Sequence, residues 1–341
     1  VTPPRVEVLE RLGPLAHDWD ALVEVQPLPS PFLRSWWIDH AAEAPARIVT
    51  VFDGDRLLGG AAFQVDRIRR GPLRLERVRM LGQGVLAPDH LDLIAEPGRR
   101  RDVARAVLGW LRRRGSRLVD LDGLAAEGAL AALFAPEVVD RHPAPRAGIA
   151  DGAEAYLATL PGRLRSTVSR SAKRLAREGV SHRVVGVEEA AAALERLAAL
   201  HEGRWREAST FLDAWPRFAA AARVGIERGD VVVHELVDAQ GEVVAAELDL
   251  LAGDVVAFYQ AGRRTEREWR GCGSALRAEV VRWAAGRGAR TYDLLRGDEP
   301  YKADWATGRL ELVRCRTGFG PLGRAQAALA ARRAATRVVT S

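Results

Sequence analysis

Tyr301 and Lys302 set a phenol and an ammonium side by side near the end of the chain. There are only four tyrosines, and the 51 basic residues include just two lysines, Lys173 and Lys302. Where arginine fills the ordinary surface positions, a lysine suggests a need for a compact, rotatable ammonium that can lose its proton; drift would leave the same trace. Upstream stands Arg270-Gly271-Cys272-Gly273-Ser274-Ala275. Its glycines remove side chains where a backbone must approach a ligand or adopt unusual dihedrals. A helix starting there turns unpaired N–H groups and its positive dipole end toward an anion such as a diphosphate. The spacing is neither G-x-G-x-x-G nor G-x-x-x-x-G-K-[ST], which argues against a dinucleotide fingerprint and a P-loop. A tight turn before a helix would use the same glycines.

The elements that must position these groups are readable around them. Val255–Gln260 is β-branched and aromatic, as in a strand. Leu276, Val280, Val281 and Ala284 lie on one helical face, and Gly286 and Gly288 end that helix. Thr291–Leu295 is a second strand, and residues 296–300 turn into a short helix carrying Tyr301 and Lys302. This is a βαβ unit with an anion site at its first turn. Asp293 and Asp298 flank the second strand's end, where α/β sites gather residues; Asp298 also suits a cap for the short helix. Upstream, Val231–Val237 and Glu242–Leu250 form a hairpin. Glu247 and Asp249 share one face of its second strand, either as a base acting directly or through water, or as a solvated face. The helix Gly162–Gly179 carries Arg163, Arg165, Arg170, Lys173, Arg174 and Arg177 with no acid before Glu178. That is a ridge for phosphates or a solvated surface. Cys272 has no evident histidine partner and reads as a small filler.

The first half has the same order of elements: helices around Trp19 and Trp36-Trp37, a hairpin turned at Asp53-Gly54-Asp55, strands at Arg74–Leu81 and His90–Ala95, a helix Asp102–Arg114 and a strand Arg117–Asp122. It lacks the glycine loop, so a degenerate copy that shapes a cleft is expected. The proline- and charge-rich stretch Ala135–Ala150 is the expected linker. The expected division is therefore 1–145, 151–322 and a basic alanine-rich helical tail, 323–341. The 341 residues, 48% hydrophobic and 28% charged, suit two globular domains. Two cysteines provide no disulfide framework and no metal spacing. No apolar run suits a membrane span and no signal peptide is visible, so a cytoplasmic protein is expected. The net charge of +6 favours anionic partners.

Arg270, Gly273 and Ala275 fit [Gln/Arg]-x-x-Gly-x-[Gly/Ala], which resembles the acyl-CoA diphosphate loop of GNAT acyltransferases. From about Ala155 to Gly318 the chain resembles the CelD-like (cellulose-biosynthesis-type) acetyltransferases, related to the FemAB aminoacyltransferases. The resemblance rests on the basic Leu164–Gly179 helix, Leu200-His201-Glu202-Gly203-Arg204-Trp205, Phe258-Tyr259-Gln260-Ala261-Gly262, the glycine loop, and Asp293-Leu294-Leu295-Arg296-Gly297-Asp298-Glu299-Pro300-Tyr301-Lys302. The first half matches more loosely, through Pro31–Trp37, Leu81-Gly82 and Asp89-His90-Leu91-Asp92. The resemblance implies an α/β (α+β) protein of tandem GNAT folds, each a mixed, mostly antiparallel sheet flanked by helices. It implies acyl transfer from acetyl-CoA or another acyl-CoA, without metal, to an amine or hydroxyl of a small molecule, sugar or amino-acid derivative. Tyr301 would then serve as acid, or only pack on Trp305 at i+4; Lys302 would stabilise negative charge or hold a phosphate. Asp293, Asp298 and Glu247 complete the candidate catalytic set. Arg270 to Ala275 would hold the coenzyme, and Arg170, Lys173, Arg204, Trp205, Tyr259, Gln260 and Arg296 would line the substrate cleft. Two other readings stand beside it: transfer of an aminoacyl group from charged tRNA, and a non-catalytic polyanion binder.

Overall fold

The computed structural model describes residues 4–70, 73–113, 115–205 and 210–339. The chain forms two compact units, Val1–His142 with Glu311–Ser341, and Pro143–Leu310. The first contains β1 (Arg5–Leu9), α1 (Ala16–Glu24), α2 (Ser35–Ile38), β2 (Ala46–Asp53), β3 (Arg56–Arg70), β4 (Leu73–Met80), β5 (Ile94–Ala95), α3 (Arg100–Leu111), β6 (Arg117–Ala125) and α4 (Ala129–Leu133). Strands β1 to β4 form an antiparallel meander, and β6 joins β4 in parallel. Trp19, Trp36, Trp37 and Phe63 are fully buried at its core. Where β4 and β6 part, the Gln83 side chain bridges them: its Oε1 accepts from the amides of Met80 and Asp122, each at 3.1 Å. Its carbonyl accepts from Gln64 and Arg79. The gap between the parallel strands is filled by the unit's own polar groups.

The second unit takes in the end of β7 (Val138–Gly148), then α5 (Ala153–Thr159), α6 (Gly162–Arg177), β8 (Ser181–Val184), α7 (Ala190–Trp205), α8 (Trp215–Arg228), β9 (Val231–Val237), β10 (Val243–Ala252), β11 (Val255–Arg263), α9 (Cys272–Gly286), β12 (Thr291–Asp293) and α10 (Pro300–Trp305). Its strand order β8-β9-β10-β11-β12, antiparallel until the last parallel step, repeats β1-β2-β3-β4-β6. Helices α7 and α8 pack on one sheet face, and α5, α6 and α9 on the other. Successive residues of β9 show the alternation: His234 meets Trp283 of α9, whereas Glu235 pairs with Arg196 of α7. Last in the chain come β13 (Gly308–Phe319) and α11 (Gly320–Val339).

Three expectations are corrected. The stretch Ala135–Ala150 is largely strand: Pro143 and Pro145 donate nothing, but their carbonyls accept from Gly297 and Leu294, and Arg146–Gly148 pair with β12. The segment after Glu311 folds with the first unit, not the second, because Leu312–Phe319 of β13 pair antiparallel with β6. The strand at His90–Ala95 shrinks to Ile94–Ala95, since His90 has φ 54° and the Asp92 carboxylate instead accepts from the first amides of α4.

Asp120 of β6 ties β13 in place, accepting from Arg314 at 2.8 Å twice and from Arg316 at 3.2 Å. Burial alone would raise its carboxyl, but the bonds and charges of Arg314 and Arg316 outweigh burial and hold it below the ordinary value. Its stabilisation is therefore full above the unfolded carboxyl value, about pH 3.9, and is lost as pH falls through the lower folded value. Asp120→Asn is expected to destabilise the protein by about 3 kcal/mol at pH 7. In urea melts the gap to the parent should close as pH falls below about 4; a gap unchanged at low pH contradicts this account.

Candidate functional site

Strand β11 is bonded to β12 only through Val255–Ala257. Beyond Ala257 no ladder bond among the described residues joins the two, because Leu294 and Gly297 turn their amides to the carbonyls of Pro145 and Pro143. From Phe258 to Arg263, β11 thus has no ladder with β12 among the described residues, at the carboxyl end of a parallel pair. In the same place the first unit has Gln83.

The loop leaving β11 ends at Gly271, the N-cap of α9, with φ 83° and no side-chain cap. The amides of Cys272, Gly273 and Ser274 are left without intrahelical acceptors, and the helix begins with Ala275 N–H to Gly271 carbonyl. In front lies a cavity of about 730 Å³ lined by Thr167, Arg170, Ser171, Arg174, Arg267, Glu268, Arg270 and Gly271. One wall is α6, fixed by Arg174, which donates to the carbonyls of Glu268 and Arg270. Uncapped amides, the helix dipole and these arginines suit a diphosphate or other phosphate group. The two glycines differ in purpose. A side chain at 271 would overlap the Ser171 hydroxyl, so this glycine lets α6 close on α9 and keeps the left-handed turn. At 273 a Cβ would meet only the stem of Arg263, at 3.3 Å. Cys272 is fully buried with its sulfur toward the Val244 carbonyl, and burial raises its thiol; Ala275 is core as well. Within the expected loop, Arg270 and Gly271 line the cavity, whereas the side chains of Cys272 and Ala275 lie in the core.

Downstream of β12, Asp293 accepts the Leu295 amide at 2.7 Å, which steadies a leucine held at φ 57°. Lys302 is 5% exposed; its ammonium donates to the Arg296 carbonyl and lies 3.2 Å from Glu299. Gly297, at φ 133°, makes this possible: a Cβ there would come within 2.7 Å of the ammonium. Lys302 therefore clamps the turn that presents α10. Asp298 is exposed, and Glu299 rather than Asp298 occupies the N-cap of α10, without a side-chain bond. Tyr301 is half-buried.

Glu247 is neither solvated nor open to a nucleophile. It is 1% exposed, accepts from Tyr292 at 2.5 Å and lies 3.4 Å from Arg277 of α9. Asp249 is fully buried, and neither of its oxygens has a hydrogen-bond partner. Burial, then the charge of Glu247, drive its carboxyl well above the usual range against the pull of Arg277; burial likewise raises Glu247. The pattern Val243-Val244-Ala245-Ala246 ahead of them is that of a strand covered on both faces, a signal against solvation. Arg277 lies outside the expected set, although it breaks the apolar stripe of α9.

Of the expected cleft residues, Arg170 lines the cavity, whereas Lys173 is exposed on another side of α6. A register shift between Leu248 and Asp249 leaves Tyr259 as an extra residue in β11. Its ring packs on Phe218 at 5.1 Å, on the α7–α8 face and away from α9. Gln260, half-buried, pairs opposite Leu248. Arg204 and Trp205 end α7, and their side chains lie outside the described residues. Among the described residues no group of three His, Cys, Asp or Glu side chains is arranged for a metal ion, and no helix is long and apolar enough to cross a membrane.

Residues 162–303 match the family model of the Acetyltransferase (GNAT) domain. This segment is a GNAT domain. A crystal structure of FemX aligns with 87% of the chain and 95% of its own, at 13% identity and TM-score 0.63. L-PGS from Bacillus licheniformis aligns over 96% and 98%, at 14% identity and TM-score 0.58. The C-terminal domain of a candidate lysylphosphatidylglycerol synthetase from Agrobacterium fabrum aligns over 94% and 95%, at 13% identity and TM-score 0.55. At such identity these likenesses concern the fold. No curated protein matches the chain. The matched segment includes the glycine loop at the uncapped start of α9.

The conformation at Gly271 is testable without a ligand. Gly271→Ala adds left-handed strain and an overlap with Ser171, and is expected to destabilise the protein by about 2–4 kcal/mol. Ser171→Gly in the same chain should recover only the overlap, roughly half. Urea unfolding measures both; an unchanged midpoint for Gly271→Ala would remove the packing argument.

Proposed function

We propose that the Pro143–Leu310 unit transfers an acetyl or other acyl group from an acyl-CoA to an amine or hydroxyl of a small molecule, sugar or amino-acid derivative. The observation that supports this is one coincidence: the uncapped N-terminus of α9 and the arginine-lined cavity before it follow in sequence on β11, whose ladder with β12 ends at Ala257. The α9 amides with Arg170, Arg267 and Arg270 would hold the diphosphate. Beyond Ala257, where its ladder with β12 ends, β11 would offer backbone N–H groups where charge develops on the thioester oxygen. Tyr301 gives its proton to the leaving sulfur. Lys302, clamped under Gly297, keeps the turn that presents Tyr301. Glu247 is too deep to act as base, so the nucleophile's proton leaves to solvent.

A second reading, aminoacyl transfer from charged tRNA, is favoured by the exposed cations of α6, Arg163, Arg165, Arg170, Lys173 and Arg177, and by the fold shared with FemX. The two readings differ in salt response: a tRNA contact weakens steeply with salt, a coenzyme site much less.

Acetyl-CoA or CoA at millimolar concentration is expected to raise the melting temperature by several degrees. Gly273→Leu should abolish the shift, while the ligand-free protein still melts cooperatively. No shift with CoA, beside salt-sensitive tRNA binding, would select the second reading. With a panel of amine acceptors, Tyr301→Phe should lower kcat about 100-fold or more; an unchanged rate removes Tyr301 from the chemistry.

A further inference from the structure

Arg277 stands where α9 should be apolar, in line with Val280, Val281 and Ala284, and its side chain is buried. The guanidinium lies 4.0 Å from the ring centre of Phe258, 5.3 Å from that of Tyr301 and 5.6 Å from that of Trp305. Its Nη2 is 3.4 Å from the Glu247 carboxylate. The partners come from β11, α10 and β10, and the backbone of α10 is further held by the Tyr156 hydroxyl on the Trp305 carbonyl. Burying two opposite charges costs several kcal/mol per ion, and well-packed apolar residues of the same volume often serve stability as well or better. Packing alone is therefore no sufficient reason for this pair. What the guanidinium adds is a fixed positive charge at the ring of Tyr301.

We propose that Arg277 is a positioning residue for acyl transfer: it fixes the Tyr301 ring and steadies the phenolate left when Tyr301 gives up its proton. The inference rests on the acid role given to Tyr301 above. In that step the nucleophile forms the new C–N or C–O bond and the C–S bond breaks. Sulfur takes the Tyr301 proton, and the phenolate is reprotonated from solvent, which has received the nucleophile's proton. The other titratable groups around the guanidinium are Glu247 and Asp249 of β10, Tyr292 of β12 and Tyr156 of α5. Burial, followed by the nearby carboxylates, drives the Tyr292 phenol well up, and burial raises Tyr156. Tyr301 on α10 is half-buried, and so less buried than Tyr156 and Tyr292.

The test uses the full chain. Arg277→Met with Glu247→Gln removes both charges together, so that no lone carboxylate stays buried. The phenolate absorbance of Tyr301 is obtained as the difference between parent and Tyr301→Phe titrations, each in the Arg277/Glu247 background concerned. Loss of the cation should move its midpoint upward by about one pH unit. Turnover of acetyl-CoA with the best amine of the panel should fall about tenfold in kcat, with KM for acetyl-CoA within about twofold. Arg277→Lys, a milder change, serves if the double variant does not fold. Its loss of kcat should vanish when Tyr301 is already phenylalanine, since both act through one group. An unmoved midpoint, or losses that multiply in full, would overturn the role of Arg277 even if Tyr301→Phe is slow. A Tyr301→Phe protein with parental kcat would instead overturn the acid role on which it rests.

Discussion

The second unit depends on a strand pair that is made for three residues and then abandoned. β11 and β12 run parallel through Ala257 and Asp293, after which β12 gives its amides to β7 and to the turn. A strand edge left open inside a sheet is costly unless something occupies it. The first unit satisfies the equivalent gap with Gln83, whose one carboxamide oxygen serves both strands. The two units therefore share a strand order yet differ at this gap: in one a side chain bridges the two strands, and in the other the ladder ends beside an uncapped helix.

The opening imposes a demand on what surrounds it. With β12 turned away, α9 and α10 must be held by side chains rather than by the ladder. Arg277 and Glu247 lie in the middle of that contact, with Tyr292 donating to the same carboxylate. Both carboxyls of β10 cannot be ionised cheaply at such burial. The direction of their shifts, with Asp249 pushed further than Glu247 by its neighbour's charge, fits one ion pair beside one neutral acid. A polar core of this kind is less forgiving than an apolar one.

Much of this was legible in the residues. The strand, glycine loop, helix and strand from Val255 to Leu295 follow from period and turn chemistry, and the repeated order of elements was visible as well. Other features were not, for identifiable reasons. Pro143 and Pro145 signal a linker in any local reading, yet carbonyls alone can bind a neighbouring strand. The return of β13 to β6 is a long-range pairing that no local pattern encodes. Glu247 and Asp249 looked like a wet hairpin face because alternation was read on one strand, without the helix that covers it. Arg277 was open to notice as a charge within an apolar stripe. Gly271 and Gly273 looked equivalent in sequence; only the neighbouring α6 distinguishes a glycine needed for packing from one with room before it.

That distinction bears on how a donor can enter. Because Ser171 fills the space at Gly271 and Arg174 is tied to the loop carbonyls, α6 is a fixed wall. A phosphate group must approach from the side of Arg170, Arg267 and Arg270, which are exposed. Exposed guanidiniums select little on their own, since solvent and salt weaken them. Selectivity must then come from the amides of α9, whose directions are set by the backbone and whose number accommodates one phosphate or an adjacent pair. In the proposed reaction, a donor that places its anionic group there would have its acyl end carried toward β11 beyond Ala257. Under the proposed function the same geometry would serve a diphosphate ester better than an extended polyanion, whose further charges would meet the ridge of α6 but find no second uncapped helix start among the walls of this cavity.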